Sequence, residues 1–295
     1  MEGTTGRRRL SKNVLYNLLF PLPPLEEQKA IADVLRAVQE VIEKTEKVIR
    51  ATKELKKSMM KQLFTYGVYK DTSGNWKIGN PETVEVKETE IGLIPKHWEV
   101  VRLEKVLFEI DKRVYQLNQT NSSDLPVLSL TKNDGLILQS QRFEKRVATE
   151  DTSKYKVVHK NHIVYNPYVI WEGAIHILEK FDIGIVSPVY VVLQVIDNMA
   201  IPEYVDAWLR TATALMLYSR LASGTVNRRR AIKKRDFLQI AFPLPPLEEQ
   251  KQIAQILQAI DQKIEKEENY KKALKNLFKS LLHSLMNGKI RVRRV

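Results

Sequence analysis

Apolar residues recur every three or four positions through 25–66 and again through 247–287, and neither run contains a proline or glycine. That spacing predicts two helices of about 40 residues, each a rod of roughly 60 Å at about 1.5 Å per residue. Stepping by three and four, the first stripe falls on Ile31, Val34, Val38, Val41, Thr45, Val48, Thr52, Leu55, Met59 and Gln62. The second falls on Ile253, Ile256, Ile260, Lys263, Glu267, Tyr270, Leu274, Leu277, Leu281 and Ser284. Leu35, Ile42, Ile49, Leu257, Ile264 and Phe278 widen the stripes. A long helix with a wide apolar stripe demands a partner, and a chain that returns between the two lets them pair as an antiparallel coiled coil.

Between the rods the period changes. Residues 67–95 are polar, with Gly, Pro, Asp and Asn at intervals, and read as a linker with a short strand. From Trp98 onward come short strand-like runs (WEVVRL, LPVLSL, GLILQS, KVVHK, HIVYN, GIVSPVYVVLQV), with helical spacing at 102–110 and 202–222. The expected fold class is therefore α+β: one mixed α/β domain over 96–240, mounted between two long antiparallel helices.

Self-comparison explains the two rods. FPLPPLEEQ occurs at 20–28 and at 242–250, and residues 20–64 match 242–286 at 24 of 45 positions without a gap. Upstream, GTTGRRR at 3–9 is similar to GTVNRRR at 224–230. One unit is present twice around an unrelated insert, which is a duplication and not a solenoid. In each copy the paired prolines suit a first helical turn, and Glu26, Glu27, Glu248 and Glu249 sit at the positive end of the helix dipole.

Composition narrows the chemistry. With no cysteine, disulfides, thiol catalysis and Cys-ligated metals are excluded. His159 and His162 stand three apart without a second ligand pair, so no metal site is expected. The longest apolar runs are too short to span a bilayer and the opening MEGTTGRRRL carries no apolar signal segment, so the expected setting is cytoplasmic. Lys and Arg number 48 against 35 Asp and Glu, a net +13 that favours a polyanionic partner.

Two segments are candidates to meet that partner. The densest cluster is Arg228, Arg229, Arg230, Lys233, Lys234 and Arg235, preceded by Gly224 and Thr225; its natural role is phosphate contact, and arginine also reads guanine by a bidentate bond. The second is 129–146, where Thr131, Lys132 and Asn133 precede a Gly135 turn and Gln139, Gln141 and Arg142 carry groups able to read base edges. The plainer alternatives are a solvated charged turn and an ordinary hairpin. Tyr165, Tyr168 and Trp171 could stack on a nucleotide, but core packing suits them better.

The order of these motifs resembles the specificity subunit of type I restriction-modification systems. IGLIPKHWEVVRL (91–103), IVYNP (163–167), WEGAI (171–175), GIVSPVY (184–190) and SGTVNRRR (223–230) look like the opening, body and close of that family's target-recognition domain, and the two FPLPPLEEQ helices look like its two conserved regions. The resemblance divides the chain into 1–19, the last remnant of a first recognition domain otherwise missing; 20–66, the first conserved helix; 67–95, the linker; 96–240, the recognition domain; and 241–295, the second conserved helix with a basic tail. It implies a non-catalytic subunit that reads one half of a bipartite site in double-stranded DNA. It also implies docking to modification (methyltransferase) subunits, which carry S-adenosylmethionine, and through them to restriction subunits, while this chain itself takes no cofactor. Two copies associating as a homodimer would restore both halves of the site.

Two other readings compete. Asn166-Pro167-Tyr168 superficially resembles the catalytic loop of DNA amino-methyltransferases, but one proline is absent and no Gly-x-Gly is present to cradle S-adenosylmethionine. A purely structural coiled-coil scaffold explains the rods and leaves the basic loops unexplained.

Overall fold

The computed structural model describes residues 16–17, 19, 21–117, 125–142, 151–222 and 230–292. In chain order the elements are helix α1 (Leu25–Tyr66), strands β1 (Val68–Lys70), β2 (Trp76–Ile78), β3 (Val86–Thr89), β4 (Gly92–Pro95), β5 (Glu99–Arg102), β6 (Leu107–Glu109), β7 (Leu128–Leu130) and β8 (Leu136–Leu138), and the short helix α2 (Gln139–Arg142). There follow β9 (Lys156–His159), β10 (Ile163–Tyr165), β11 (Ile175–Ile177), β12 (Ile183–Val186) and β13 (Val191–Val195), then helices α3 (Pro202–Leu209), α4 (Ala212–Leu221) and α5 (Lys234–Leu238), strand β14 (Ala241–Leu244) and helix α6 (Leu247–Met286). Helix and antiparallel strand are thus mixed, and the chain divides into two compact units, Met1–Glu54 with Asp261–Val295, and Leu55–Ile260.

In the first unit the long helices are held by ion pairs that step in opposite directions, Glu46–Lys275 at 3.2 Å and Lys53–Glu268 at 2.6 Å, with Arg291 gripping Glu27 at 2.6 Å near the helix ends. Exposed pairs of this kind set register more than stability. The buried seam of α1 runs through Ile31, Ile42, Thr45 and Ile49, and that of α6 through Ile264, Leu274 and Leu285. Every second position of the expected stripe is therefore out by one: Val41, Val48, Tyr270 and Leu277 are exposed, and the next residue along each helix turns inward instead. A period of 3.5 can be stepped as 3-4 or 4-3, and the residues alone leave that phase open wherever both neighbours are apolar, as at Val41-Ile42 and Val48-Ile49.

The second unit is built on the four-stranded antiparallel sheet β11-β10-β13-β6. Its β-branched runs suit a pleated surface, and all three residues of β10 are buried. Around it lie the pairs β9–β12, β7–β8 and β5–β14. Gly184 on β12 has no room for a side chain, because a Cβ there would lie 2.6 Å from Leu128. Trp208 and Tyr204 of α3 pack on Phe242 at centroid distances of 5.1 and 5.8 Å, which ties the domain to the second FPLPPLEEQ.

Three expectations from the sequence are corrected. Residues 67–95 hold two β-hairpins, β1–β2 and β3–β4, and Val68, Ile91 and Ile94 are core residues of the unit, so this stretch is more than a linker. The helical spacing at 102–110 becomes a single turn, Leu103–Lys105, followed by β6, whose pairing with β13 outweighs local preference. The run at 202–222 breaks into α3 and α4, because the Thr211 hydroxyl donates to Trp208 O at 2.8 Å and accepts from Ala214 N at 3.2 Å, ending one helix and capping the next.

The repeated motif has a structural reason. Gln250 is fully buried: its Nε2 donates to Pro245 O at 2.8 Å and its Oε1 accepts from Ile201 N at 2.8 Å. In the first copy Gln28 Nε2 donates to Pro23 O, also at 2.8 Å. The neighbouring glutamates differ in partner. Glu249 accepts from the buried Trp98 indole at 2.9 Å and bonds His97 at 2.8 Å, whereas Glu27 meets Arg291.

Burial also sets a pH dependence. His162 is almost fully buried and accepts a hydrogen bond from His159 N at 3.3 Å; burial, and then the neighbouring His159, push its pKa from 6.5 down to about 4. Burial lowers His176 as well. Between pH 6.5 and about 4 the unfolded chain takes up a proton that the folded chain refuses, so stability present above 6.5 is lost as the pH falls through this window. The loss attributable to His162 is about 3 kcal/mol. Urea unfolding at stepped pH should show the decline, and His162→Asn, which cannot titrate, should make it shallower; an unchanged slope would remove His162 as its source.

Candidate nucleic-acid interface

Both basic segments meet at one place, the turn-rich stretch 166–176 between β10 and β11. Asn166 Oδ1 accepts from Tyr168 N at 3.0 Å, closing a turn that leads into the single helical turn Ile170–Glu172, and Gly173 ends that turn at φ 96°. The turn takes one of the two lone pairs of the Asn166 amide oxygen, so this side chain has a structural role in the stretch.

From one side comes the β7–β8 hairpin. Gly135 takes a left-handed φ of 68°, and Thr131 closes the turn: its hydroxyl donates to Gly135 O at 3.1 Å and accepts from Asp134 N at 2.9 Å. Thr131 therefore shapes the hairpin, and Lys132 and Asn133 stand exposed at its tip. The Lys132 carbonyl accepts from His176 Nε2 at 3.1 Å, and its Cγ lies 3.7 Å from where a Cβ on Gly173 would be. Gln141 is exposed on α2; the side chain of Arg142 lies outside the described residues.

From the other side comes the chain after α4. The Arg230 guanidinium donates to Ser219 O at 2.8 Å and Ala222 O at 3.1 Å, capping the carbonyl end of α4, and lies over the Trp171 ring at 5.5 Å. Ile232 N donates to Pro167 O at 3.1 Å, anchoring the strand of chain that follows. Lys233 and Arg235 are exposed, with no ion-pair partner among the described residues. Lys234 is instead held by Glu109, which also lies 3.4 Å from the buried Lys156. Lys156 reaches Asp111 at 3.1 Å, and Arg113 pairs with the same carboxylate at 2.9 Å. Partial burial would raise Asp111, but the hydrogen bonds from Arg113 and Lys156 outweigh it and hold the carboxyl below its usual range. Thr225, Arg228 and Arg229 lie outside the described residues.

The aromatic candidates separate. Tyr165 is fully buried, stacked on Phe237 at 4.7 Å, and burial followed by the charge of Glu109 drives its hydroxyl pKa up. It is core. Tyr168 is 47% exposed and Trp171 half-buried beside Arg230, so these two border the basic face. Sequence reasoning missed Glu109: its grip on Lys234 spans 125 residues, and no local pattern announces it.

Comparison with known proteins settles the family. The profile described as type I restriction modification DNA specificity domain matches residues 2–53 and 95–276. The chain belongs to this family. Among curated members of the specificity family, the type I restriction enzyme MjaVIII specificity subunit of Methanocaldococcus jannaschii is 30% identical over 299 residues, covering 98% of this chain and 66% of the relative. The EcoBI specificity subunit of Escherichia coli is 24% identical over 303 residues, covering 96% of this chain and 60% of the relative. The chain thus spans about two thirds or less of the curated relatives it matches. The type I restriction-modification S subunit from M. genitalium has a similar fold, with a TM-score of 0.51 at 16% identity over 89% of this chain and 61% of that one. No helix among the described residues is long and apolar enough to cross a membrane.

Proposed function

We propose that this chain is the DNA-recognition subunit of a type I restriction-modification complex and reads one half of a bipartite duplex target. The observation that carries the reading is the approach of Lys132 to Gly173 and of Arg230 to Trp171 on one stretch of chain, with Lys233 and Arg235 exposed and without an ion-pair partner among the described residues, inside a DNA specificity domain. Lys132, Lys233 and Arg235 contact phosphates, and Thr225, Arg228 and Arg229 extend the same basic segment. Asn133, Gln141 and Arg142 are the base readers, and Thr131 positions the hairpin. Arg230 and Lys234 work from behind, one fixed to the carbonyl end of α4 and the other tied to Glu109. In this reading the long helices pair as an antiparallel coiled coil and dock the modification subunits. Those subunits hold S-adenosylmethionine and recruit the restriction subunits. A second copy of the chain supplies the other half-site reader.

Binding to duplex DNA should weaken linearly on a log–log plot against salt, with a slope of about −0.9 per phosphate contacted. Replacing Lys132, Lys233 and Arg235 together by alanine should flatten that slope by two to three units (about 0.9 each) and lower affinity on every sequence alike. Titration of the chain with and without its modification subunit would measure this. Absence of DNA binding in either form would leave a scaffold built on the helices.

A further inference from the structure

The β7–β8 hairpin is attached to its unit at the root and again at the tip. At the root, Leu128, Leu130 and Leu136 are buried in one cluster with Val158, Val164 and Val192. At the tip the contact is His176, a buried residue on β11 opposite Val164 of β10. Its Nε2 bonds the Lys132 carbonyl at 3.1 Å, and its ring carbon and nitrogen stand 3.6 Å from where a Cβ on Gly135 would be. A carbonyl only accepts, so Nε2 carries the hydrogen. Burial, and then the Arg210 guanidinium, lower the pKa of this ring, which is therefore neutral at pH 7.

His176 is itself firmly placed. The next residue, Ile177, donates its N–H to the buried Asp206 carboxylate of α3 at 2.8 Å, and Arg210 grips the same carboxylate. A line of contacts thus runs from α3 through β11 to the hairpin tip. The turn does not need the imidazole to keep its own shape. Thr131 N and the Thr131 hydroxyl both donate to Gly135 O, and Asp134 N donates to that hydroxyl. What the imidazole fixes is the place of the turn on the sheet, and with it the point from which the exposed Lys132 and Asn133 leave the surface. Hydrogen bonds to base edges are short and directional, whereas attraction to phosphate declines gradually with distance. Rocking of the tip therefore costs discrimination far more than it costs general affinity.

We propose that His176 is a positioning residue for base reading: its hydrogen bond to the Lys132 carbonyl sets where Asn133 meets a base, without His176 touching DNA. The proposal rests on the reading above that the hairpin faces DNA, and it adds the buried residue on which sequence discrimination depends. The test uses the full chain with its modification subunit and two probes, a half-site duplex selected by the wild-type chain from a random pool and a scrambled duplex. His176→Met, which keeps the length but donates nothing, should lower the ratio of the two affinities about 10-fold. Its affinity for the scrambled duplex should stay within about twofold, with the same salt slope. His176→Gln places an N–H where Nε2 stood and should keep the ratio within about threefold of the parent. In an Asn133→Ala background the methionine change should lower the ratio no further. A ratio that methionine leaves intact, or that glutamine and methionine lower equally, overturns the proposal and spares the recognition reading. So does a nitrogen-15 spectrum of the histidine-labelled wild-type chain with the His176 proton on Nδ1, a measurement that depends on no variant folding. A wild-type chain that selects no sequence from the pool overturns both readings together.

Discussion

Trp98→Ala is expected to lower the stability of the recognition unit by about 4 kcal/mol, the largest effect of any single change considered. The indole is fully buried, and its removal leaves both a cavity and a lost hydrogen bond. Glu249, only 10% exposed at its side chain, would keep His97 as a partner but lose the indole N–H at 2.9 Å. The surroundings cannot easily collapse into the gap. Gly67 ends α1 at a left-handed φ of 62°, and a Cβ there would stand 2.8 Å from the Trp98 ring, so the ring and the helix terminus are already in contact through a residue with no side chain to extend. Trp98→Phe, which keeps much of the volume, should cost about half as much. Urea unfolding followed by circular dichroism measures both; a loss under about 1 kcal/mol for the alanine variant would show that the contact is dispensable.

Gln250→Leu should destabilise the same unit by about 3 kcal/mol, because it keeps the volume but strands the buried Pro245 carbonyl and the half-buried Ile201 N–H. The duplicated motif supplies an internal comparison. Gln28 makes the matching bond to Pro23 but is only half-buried, so Gln28→Leu leaves groups that water can reach and should cost about 1 kcal/mol or less. Equal losses in the two copies would mean that the glutamine serves helix initiation alone and does not join the domain to its helix.

Long-period features were legible in the sequence, and pairings across it were not. The two helices, the repeat and the basic segments follow from local composition. The phase of the seam was not recoverable where Val41-Ile42 and Val48-Ile49 offer two apolar neighbours of similar size. The strand nature of 107–109 depends on β13, more than eighty residues on, and the hairpins at 68–95 depend on burying Val68, Ile91 and Ile94 in a core assembled from the whole unit. At the interface, the identity of the cations could be read, but their availability could not. Lys234 carries the same charge as Lys233, yet Glu109 engages it and leaves Lys233 exposed, a distinction made by the sheet and not by the cluster. Thr131 illustrates the converse, for its hydroxyl belongs to its own turn and so sets the place of the two residues after it.

The position of Arg230 turns Trp171 into an optical gauge. Of the four tryptophans, Trp98 and Trp208 are buried in the core and Trp76 lies under Lys70, while Trp171 has the guanidinium of Arg230, from the basic segment, against its face. A cation at that distance perturbs indole emission, and any displacement of Arg230 would change the colour and yield of this fluorophore. Arrival of a ligand on the basic segment can thus be followed by intrinsic fluorescence, without attaching a label.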